Sequence, residues 1–207
     1  AILPINIFTF FIRGVNKFIS PCPKVDFKLS NCKFKTLIWL AHPSAVLEKS
    51  PEAALNWFVN LFKGDIDLDK LEKLIKEVGV EHIPFVRIEL GTNLIGGQPV
   101  SLQNVEDVSS ICKKYNIPLM IDASLITDNL YFNKVREEKC KDMTIHQIAL
   151  AISNCADIIY FSARKFGFGR GGGIMVRDEE MFHEMEDYIT MFEGFLTYGG
   201  MSVKEME

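Results

Sequence analysis

From about Ala53 onward, apolar stripes at helical spacing alternate with short apolar runs bounded by turn residues, and this alternation fixes the fold class more firmly than anything else in the chain. LDKLEKLIKEVG (68–79) carries Leu68, Leu71, Leu74 and Ile75 on one helical stripe, with Asp65 and Asp67 before it and Gly79 to end it. IPFVRIEL (83–90) reads as a buried strand. Ser101 caps a helix through Tyr115 that presents Val105, Val108, Ile111 and Cys112. IPLMID (117–122) reads as a short strand ending on an acid. Thr144 caps IHQIALAIS, a helix through about Asn154. ADIIYFSA (156–163) and GGIMV (172–176) read as strands, and Asp178 opens a helix carrying Met181, Phe182, Met185, Tyr188 and Ile189. Helices alternating with strands predict an α/β fold: three layers around a mostly parallel sheet. Ligands of such sheets bind beyond the carboxyl ends of the strands.

Residues 1 to about 52 differ in character. They hold Pro4, Pro21, Pro23, Pro43 and Pro51 and show no clean period. The division expected is an unassigned N-terminal segment (1–52) and part of one large domain (53–207). The opening AILPINIFTFFIRGVNKFIS is apolar, but Arg13 and Lys17 interrupt it, which argues against a spanning helix, and no basic start precedes it as in a secretory signal. The chain begins with Ala1, not Met, and ends on MSVKEME in what reads as the start of a further helix. The expectation is a fragment with further segments on both sides, inactive by itself.

The net charge of −4 and the 48% hydrophobic content describe an ordinary globular surface, with no basic face for nucleic acid or an anionic membrane. Five cysteines, an odd number without a C-x-x-C pair, suit a reducing, cytoplasmic compartment. His42, His82, His146 and His183 do not cluster with the cysteines, so no metal site is expected. The run Arg136, Glu137, Glu138, Lys139 reads as a solvated loop or helix face, and Gly96, Gly97 and Pro99 as a tight turn rather than a phosphate cradle.

Four residues lie near strand ends in this reading: Asn93, Asp122, Ser162 and Lys165. An acid, a hydroxyl and a lysine converging there suit pyridoxal 5′-phosphate, which needs an amine to hold it, a carboxylate to keep its pyridine nitrogen protonated, and donors for its phosphate. By spacing alone the signal is weak. A strand-end aspartate is as often a helix cap or turn residue, and Ser-x-x-Lys occurs by chance.

The phrases GDIDLDKLEKLIKEVG, TNLIGGQPVS, IDAS, DNLYFNKVRE, CADIIYFSARK and EGFLTYGG stand in this order within residues 53 to 207, and that stretch resembles the beta-eliminating lyases, tryptophanase and tyrosine phenol-lyase. The resemblance implies the pyridoxal-phosphate fold of type I and roles for single residues. Lys165 matches the catalytic lysine that holds the cofactor, Asp122 the acid on its pyridine nitrogen, Asn93 the amide at its ring hydroxyl, and Ser162 a phosphate contact. Arg164 stands where the family has a second lysine. Three departures accompany these matches: Leu125 where the family carries an arginine near the ring oxygen, Phe166 for an acid, and Arg170 for an asparagine linked to a monovalent-cation site. They weigh against full activity and against potassium activation. The family's Gly-rich phosphate loop and its stacking aromatic ring find no match upstream of residue 53.

The activity implied is carbon–carbon bond cleavage in an aromatic amino acid, the small-molecule substrate. Phe195, EGFLTYGG and KDMTIHQI lean towards tryptophanase, with tyrosine phenol-lyase as the alternative. A homotetramer, with neither nucleic acid nor membrane as partner, is implied for the complete protein. A reading of another class, a degenerate non-catalytic fragment, is favoured by Leu125, Arg170 and the unmatched segments.

Overall fold

The structure is a computed structural model that describes residues 60–165, 169 and 171–193. Helix α1 (Leu68–Val78) begins where the Asp67 carboxylate accepts a hydrogen bond from the Lys70 backbone at 3.1 Å, and it turns the buried Leu71 and Ile75 inward. Gly79 ends it at φ 88°, a left-handed value that a side chain would resist. Strand β1 (Val86–Glu89) follows. Helix α2 (Leu102–Tyr115) is capped by Ser101 as expected and stops at Asn116, whose φ of 53° lets its N–H reach back to the carbonyls of Cys112 and Lys113. Strand β2 is Leu119–Asp122, α3 Ile126–Arg136, α4 Ile145–Cys155, β3 Ile158–Ser162, β4 Gly172–Val176 and α5 Glu179–Glu193. Thr144 and Gln147 form a reciprocal capping box at the start of α4.

The four described strands lie in sequence order, β1-β2-β3-β4. The first three run parallel and β4 runs antiparallel to β3, with Ser162 opposite Gly172. The mostly parallel sheet expected from the sequence is therefore present, and its last strand reverses. The cause is loop length: residues 163–171 are too few for a parallel crossover, which takes about a dozen residues or more. The two strands approach closely at Gly172, where an added Cβ would lie 2.1 Å from the Phe161 carbonyl oxygen.

Side chains alternate across the sheet. On one face Val86, Ile88, Leu90, Leu119 and Ile121 join Val105, Val108, Ile148 and Ile152 from α2 and α4 in the main core. On the other, Ile158, Ile174 and Val176 pack against Met120, Tyr160 and the α5 residues Met181, Phe182 and Met185. Helices thus cover both faces, which gives the three layers.

Helix α3 is an element the apolar periodicity does not announce. Its buried positions include Asn129 and Asn133, both 0% exposed. Asn129 accepts from the Val100 N–H at 2.8 Å and donates to the Val100 carbonyl at 3.0 Å and to Asn133 at 2.7 Å. Asn133 donates to the same carbonyl and to Glu137, each at 3.0 Å. Glu137, four residues further on, accepts from the free N–H groups of Leu102 and Gln103 at 2.8 and 2.9 Å. Glu137 is thus no solvated residue, as the run 136–139 suggested; it caps α2, where an anion offsets the unpaired N–H groups and the helix dipole. A ladder at i, i+4 and i+8 along α3 clasps the end of the PVS segment and fixes the entry into α2.

Asp65 serves the same entry, accepting from the Ser101 N–H at 2.7 Å and hydroxyl at 3.0 Å. Burial pushes its carboxyl up to about 6 against those hydrogen bonds, with the charges of Glu137 and Asp107 adding to the rise. A carboxyl raised in the folded state binds protons there that the unfolded chain releases, so stability falls as pH rises from about 4 to about 6 and the full cost stands above that window. By linkage it amounts to at most about 3 kcal/mol. Asp65→Asn keeps an acceptor for Ser101 and removes the charge. The difference between variant and parent in urea midpoint is expected to shift in favour of the variant between pH 4 and 7. A pH-independent difference would show that Asp65 titrates normally.

Candidate active site

The carboxyl ends of β1, β2 and β3 form one edge, and the four residues singled out from the sequence all reach it. Asp122 is the last residue of β2 and Ser162 the last of β3. Asn93 opens a short turn just past β1, and Lys165 lies on the β3–β4 connection. The TNLIGGQ loop is the tight turn expected: the Gly97 N–H bonds the Thr92 carbonyl at 2.9 Å, and Thr92 bridges to Gln98. Gly96 and Gly97 take φ of 77° and 73°, and a Cβ on either would meet nothing within 4 Å. Glycine is needed there for backbone shape, not for close approach.

Asp122 is buried and fully engaged on one oxygen. Its Oδ2 accepts from Arg87 Nη2 at 2.8 Å and from the Tyr160 hydroxyl at 3.0 Å, while Oδ1 accepts from the Ser124 N–H at 3.0 Å. Burial alone would raise this carboxyl, but hydrogen bonds from Ser124 and Arg87 and the charge of Arg87 outweigh it and hold the group below the usual carboxylate range. Tyr160 shifts the other way, raised by burial and by the Asp122 charge. The Ser124 hydroxyl in turn accepts from the Ser162 N–H at 3.1 Å, so Asp122 and Ser162 are joined through one residue. Asn93 hangs on Glu89, whose Oε1 accepts from the Asn93 side-chain amide at 2.5 Å, and Glu89 Oε2 lies 3.4 Å from Arg87 Nη2.

Lys165 donates its backbone N–H to the Ser162 carbonyl at 3.3 Å, and its side chain is exposed. The structure sets its backbone on the same edge as the other three. Leu125 lies against Gly91 between the ends of β1 and β2: a Cβ on Gly91, itself at φ 69°, would come within 2.8 Å of Leu125 Cβ. Position 125 therefore borders the edge that Asn93 and Asp122 share. Phe166, Arg170, Phe195 and the EGFLTYGG phrase fall outside the described side chains. Among the described residues no three His, Cys, Asp or Glu side chains gather as metal ligands would, and no helix is long and apolar enough to cross a membrane.

The sequence reading missed Arg87, Glu89, Ser124 and Tyr160. Arg87 and Glu89 stood in view as charges at alternate positions of an apolar run, and period two places both on one face. Buried charges need partners, so the pair pointed to an acid or base on the neighbouring strand.

A profile described as Beta-eliminating lyase matches residues 33–204. The chain belongs to this family. The resemblance drawn from the sequence phrases is thereby shown, and the match begins upstream of residue 53, the lower bound of the stretch in which that resemblance was seen. Tyrosine phenol-lyase of Pasteurella multocida (strain Pm70) is 38% identical over 147 residues, 70% of this chain and 32% of that protein. A probable beta-eliminating lyase of Trichomonas vaginalis is 41% identical over 146 residues, again 70% of this chain and 32% of that protein. Tryptophanase of Haemophilus influenzae is 41% identical over 150 residues, with the same two shares. This chain thus spans about a third of the length of these beta-eliminating lyases. The two lyase names come at nearly equal identity, so likeness alone does not choose between them.

Proposed function

We propose that the protein containing this chain is a pyridoxal-phosphate-dependent carbon–carbon lyase of aromatic amino acids, most like tryptophanase. The observation that carries the reading is an aspartate kept ionised at the sheet edge beside a lysine-bearing turn. The residues fit the cofactor by charge: one guanidinium, Arg87, faces two carboxylates, Asp122 and Glu89, so the cluster has room for one more positive charge. A protonated pyridine nitrogen would supply it.

When bound, pyridoxal phosphate supplies an electron sink that lets bonds at a substrate's Cα be broken. Asp122, ionised by its hydrogen bonds, would keep the ring nitrogen protonated. Asn93 would bond the ring hydroxyl and Ser162 the phosphate. Lys165 would hold the cofactor through Nζ; once displaced by the substrate's amino group, that amine would take the proton from Cα and could return it. Tryptophan and water would give indole, pyruvate and ammonia. The same proposal includes a large cofactor-binding domain over residues 53–207, a homo-oligomer and a cytoplasmic location. It does not include potassium activation.

Tyrosine phenol-lyase is the second reading, favoured by the 38% identity to the Pasteurella protein of that name. The test is the complete protein supplied with pyridoxal phosphate and either amino acid. Pyruvate with indole from tryptophan is expected to exceed pyruvate with phenol from tyrosine at least about tenfold, a margin worth about 1.4 kcal/mol in the barrier. The reverse order would move the assignment to the second reading, and no pyruvate from either substrate would sink both.

A further inference from the structure

We propose that Arg87 is a positioning residue of this site, which ties the Asn93 amide and the Asp122 carboxylate, through Glu89, into one unit facing the cofactor ring. The proposal rests on the pyridoxal-phosphate reading above and adds the device that aligns two of its contacts.

The register of the sheet makes the unit possible. Glu89, Asp122 and Tyr160 are direct neighbours across β1, β2 and β3, and therefore point to the same face. Arg87 stands two residues back on β1, on that same face, and its guanidinium reaches forward between the two acids. One nitrogen, Nη2, lies 2.8 Å from Asp122 Oδ2 and 3.4 Å from Glu89 Oε2. The other oxygen of Glu89 takes the Asn93 side-chain amide and the Asn93 backbone N–H, at 2.5 and 3.3 Å. The Tyr160 hydroxyl closes on Asp122 Oδ2, and the Arg87 guanidinium sits 5.8 Å from the centre of the Tyr160 ring.

Two consequences follow. First, the donors are unevenly divided over the Asp122 carboxylate. Oδ2 carries two donors, Arg87 and Tyr160, and Oδ1 carries the backbone N–H of Ser124. An ionised carboxylate oxygen has about two lone-pair sites, so Oδ1 is the atom with capacity left for a ring N–H. Second, the residues expected at the ring nitrogen and the ring hydroxyl share one guanidinium. Moving Arg87 moves both.

Stability does not account for an arginine at this place. Its Nε is buried and has no hydrogen-bond partner among the described residues. A half-buried guanidinium with its buried Nε unpaired costs free energy that an apolar side chain of similar length would avoid. That cost is carried at the strand ends that hold Asn93 and Asp122, where alignment is what matters.

The experiment is a double-mutant cycle on the complete protein, read as the dissociation constant of pyridoxal 5′-phosphate in an absorbance titration, with no turnover required. Asn93→Ala is expected to weaken binding about tenfold when Arg87 is present. In an Arg87→Met background the same change is expected to cost less than about twofold, because the amide is already loose. Glu89→Gln provides a second background that keeps Arg87. It should reproduce the lost coupling even if Arg87→Met does not fold. Equal costs of Asn93→Ala in all backgrounds would overturn the proposal, provided that borohydride still fixes the cofactor on Lys165 of the parent protein. No fixation on Lys165 in the parent would instead overturn the cofactor reading, and this inference with it.

Discussion

Replacing Lys165 by alanine in the complete protein is expected to abolish borohydride-stable attachment of pyridoxal phosphate and to lower turnover by roughly four orders of magnitude, as loss of a nucleophile and its proton transfer does. Three other lysines of the described residues are placed differently. Lys114 pairs with Glu72 at 2.5 Å on the outer surface of α1 and α2, and the partnership raises its amine above the usual range. Lys134 donates to the carbonyls of Cys140, Lys141 and Met143 and staples the turn after α3. Lys113 sits exposed in the last turn of α2, at the opposite end of the unit from the strand carboxyl termini. Lys165 alone of these four lies on the turn that leaves β3 beside Ser162. Peptide mapping after reduction should therefore find the adduct on Lys165 and no labelling in the alanine variant. An adduct on Lys113, Lys114 or Lys134 would mean that the family alignment is displaced.

How much of this was legible depended on what kind of side chain each element buries. Helix α1 shows its stripe of leucines, Ser101 and Thr144 announce their helices, and the β–α alternation was enough to put Asn93, Asp122, Ser162 and Lys165 at one edge. Helix α3 stayed hidden because Asn129 and Asn133 occupy its inward face, and polar residues carry no hydrophobic period. The strand IPFVRIEL was read as uniformly buried, although Arg87 and Glu89 alternate with Val86, Ile88 and Leu90. Taking it as two-faced would have exposed the polar network behind Asp122. Nor does the direction of β4 require the structure: the length of 163–171 decides it. The roles at the site are different in kind. No spacing distinguishes a cofactor-binding aspartate from a helix cap, and those roles entered with the family phrases.

Asn129→Leu should be the most damaging single change in the described core outside the sheet, with an expected loss of about 4 kcal/mol. Leucine keeps the branched outline and heavy-atom count of asparagine, is bulkier, and removes every polar atom. The Val100 N–H then loses the oxygen it bonds at 2.8 Å, and Asn133 Oδ1 loses its donor at 2.7 Å. Each orphaned group costs about 1–3 kcal/mol when water cannot reach it, and Asn129 and Asn133 are both fully buried. The Val100 carbonyl keeps a donor in Asn133, at 3.0 Å. Asn133→Leu leaves both Val100 groups paired with Asn129 and orphans one buried donor, the Asn129 N–H that bonds Asn133 Oδ1, while the half-buried Glu137 keeps its backbone donors, so its loss should be smaller. Tyr131→Ala, on the exposed side of the same helix at 59% exposure, should change stability by less than about 0.5 kcal/mol. Urea unfolding of the three variants provides the measurement. The predicted order is Asn129→Leu, then Asn133→Leu, then Tyr131→Ala. A loss under about 1 kcal/mol for Asn129→Leu would mean that the PVS segment is held by packing, and that the ladder of polar side chains along α3 does not set the geometry between the TNLIGGQ turn and α2.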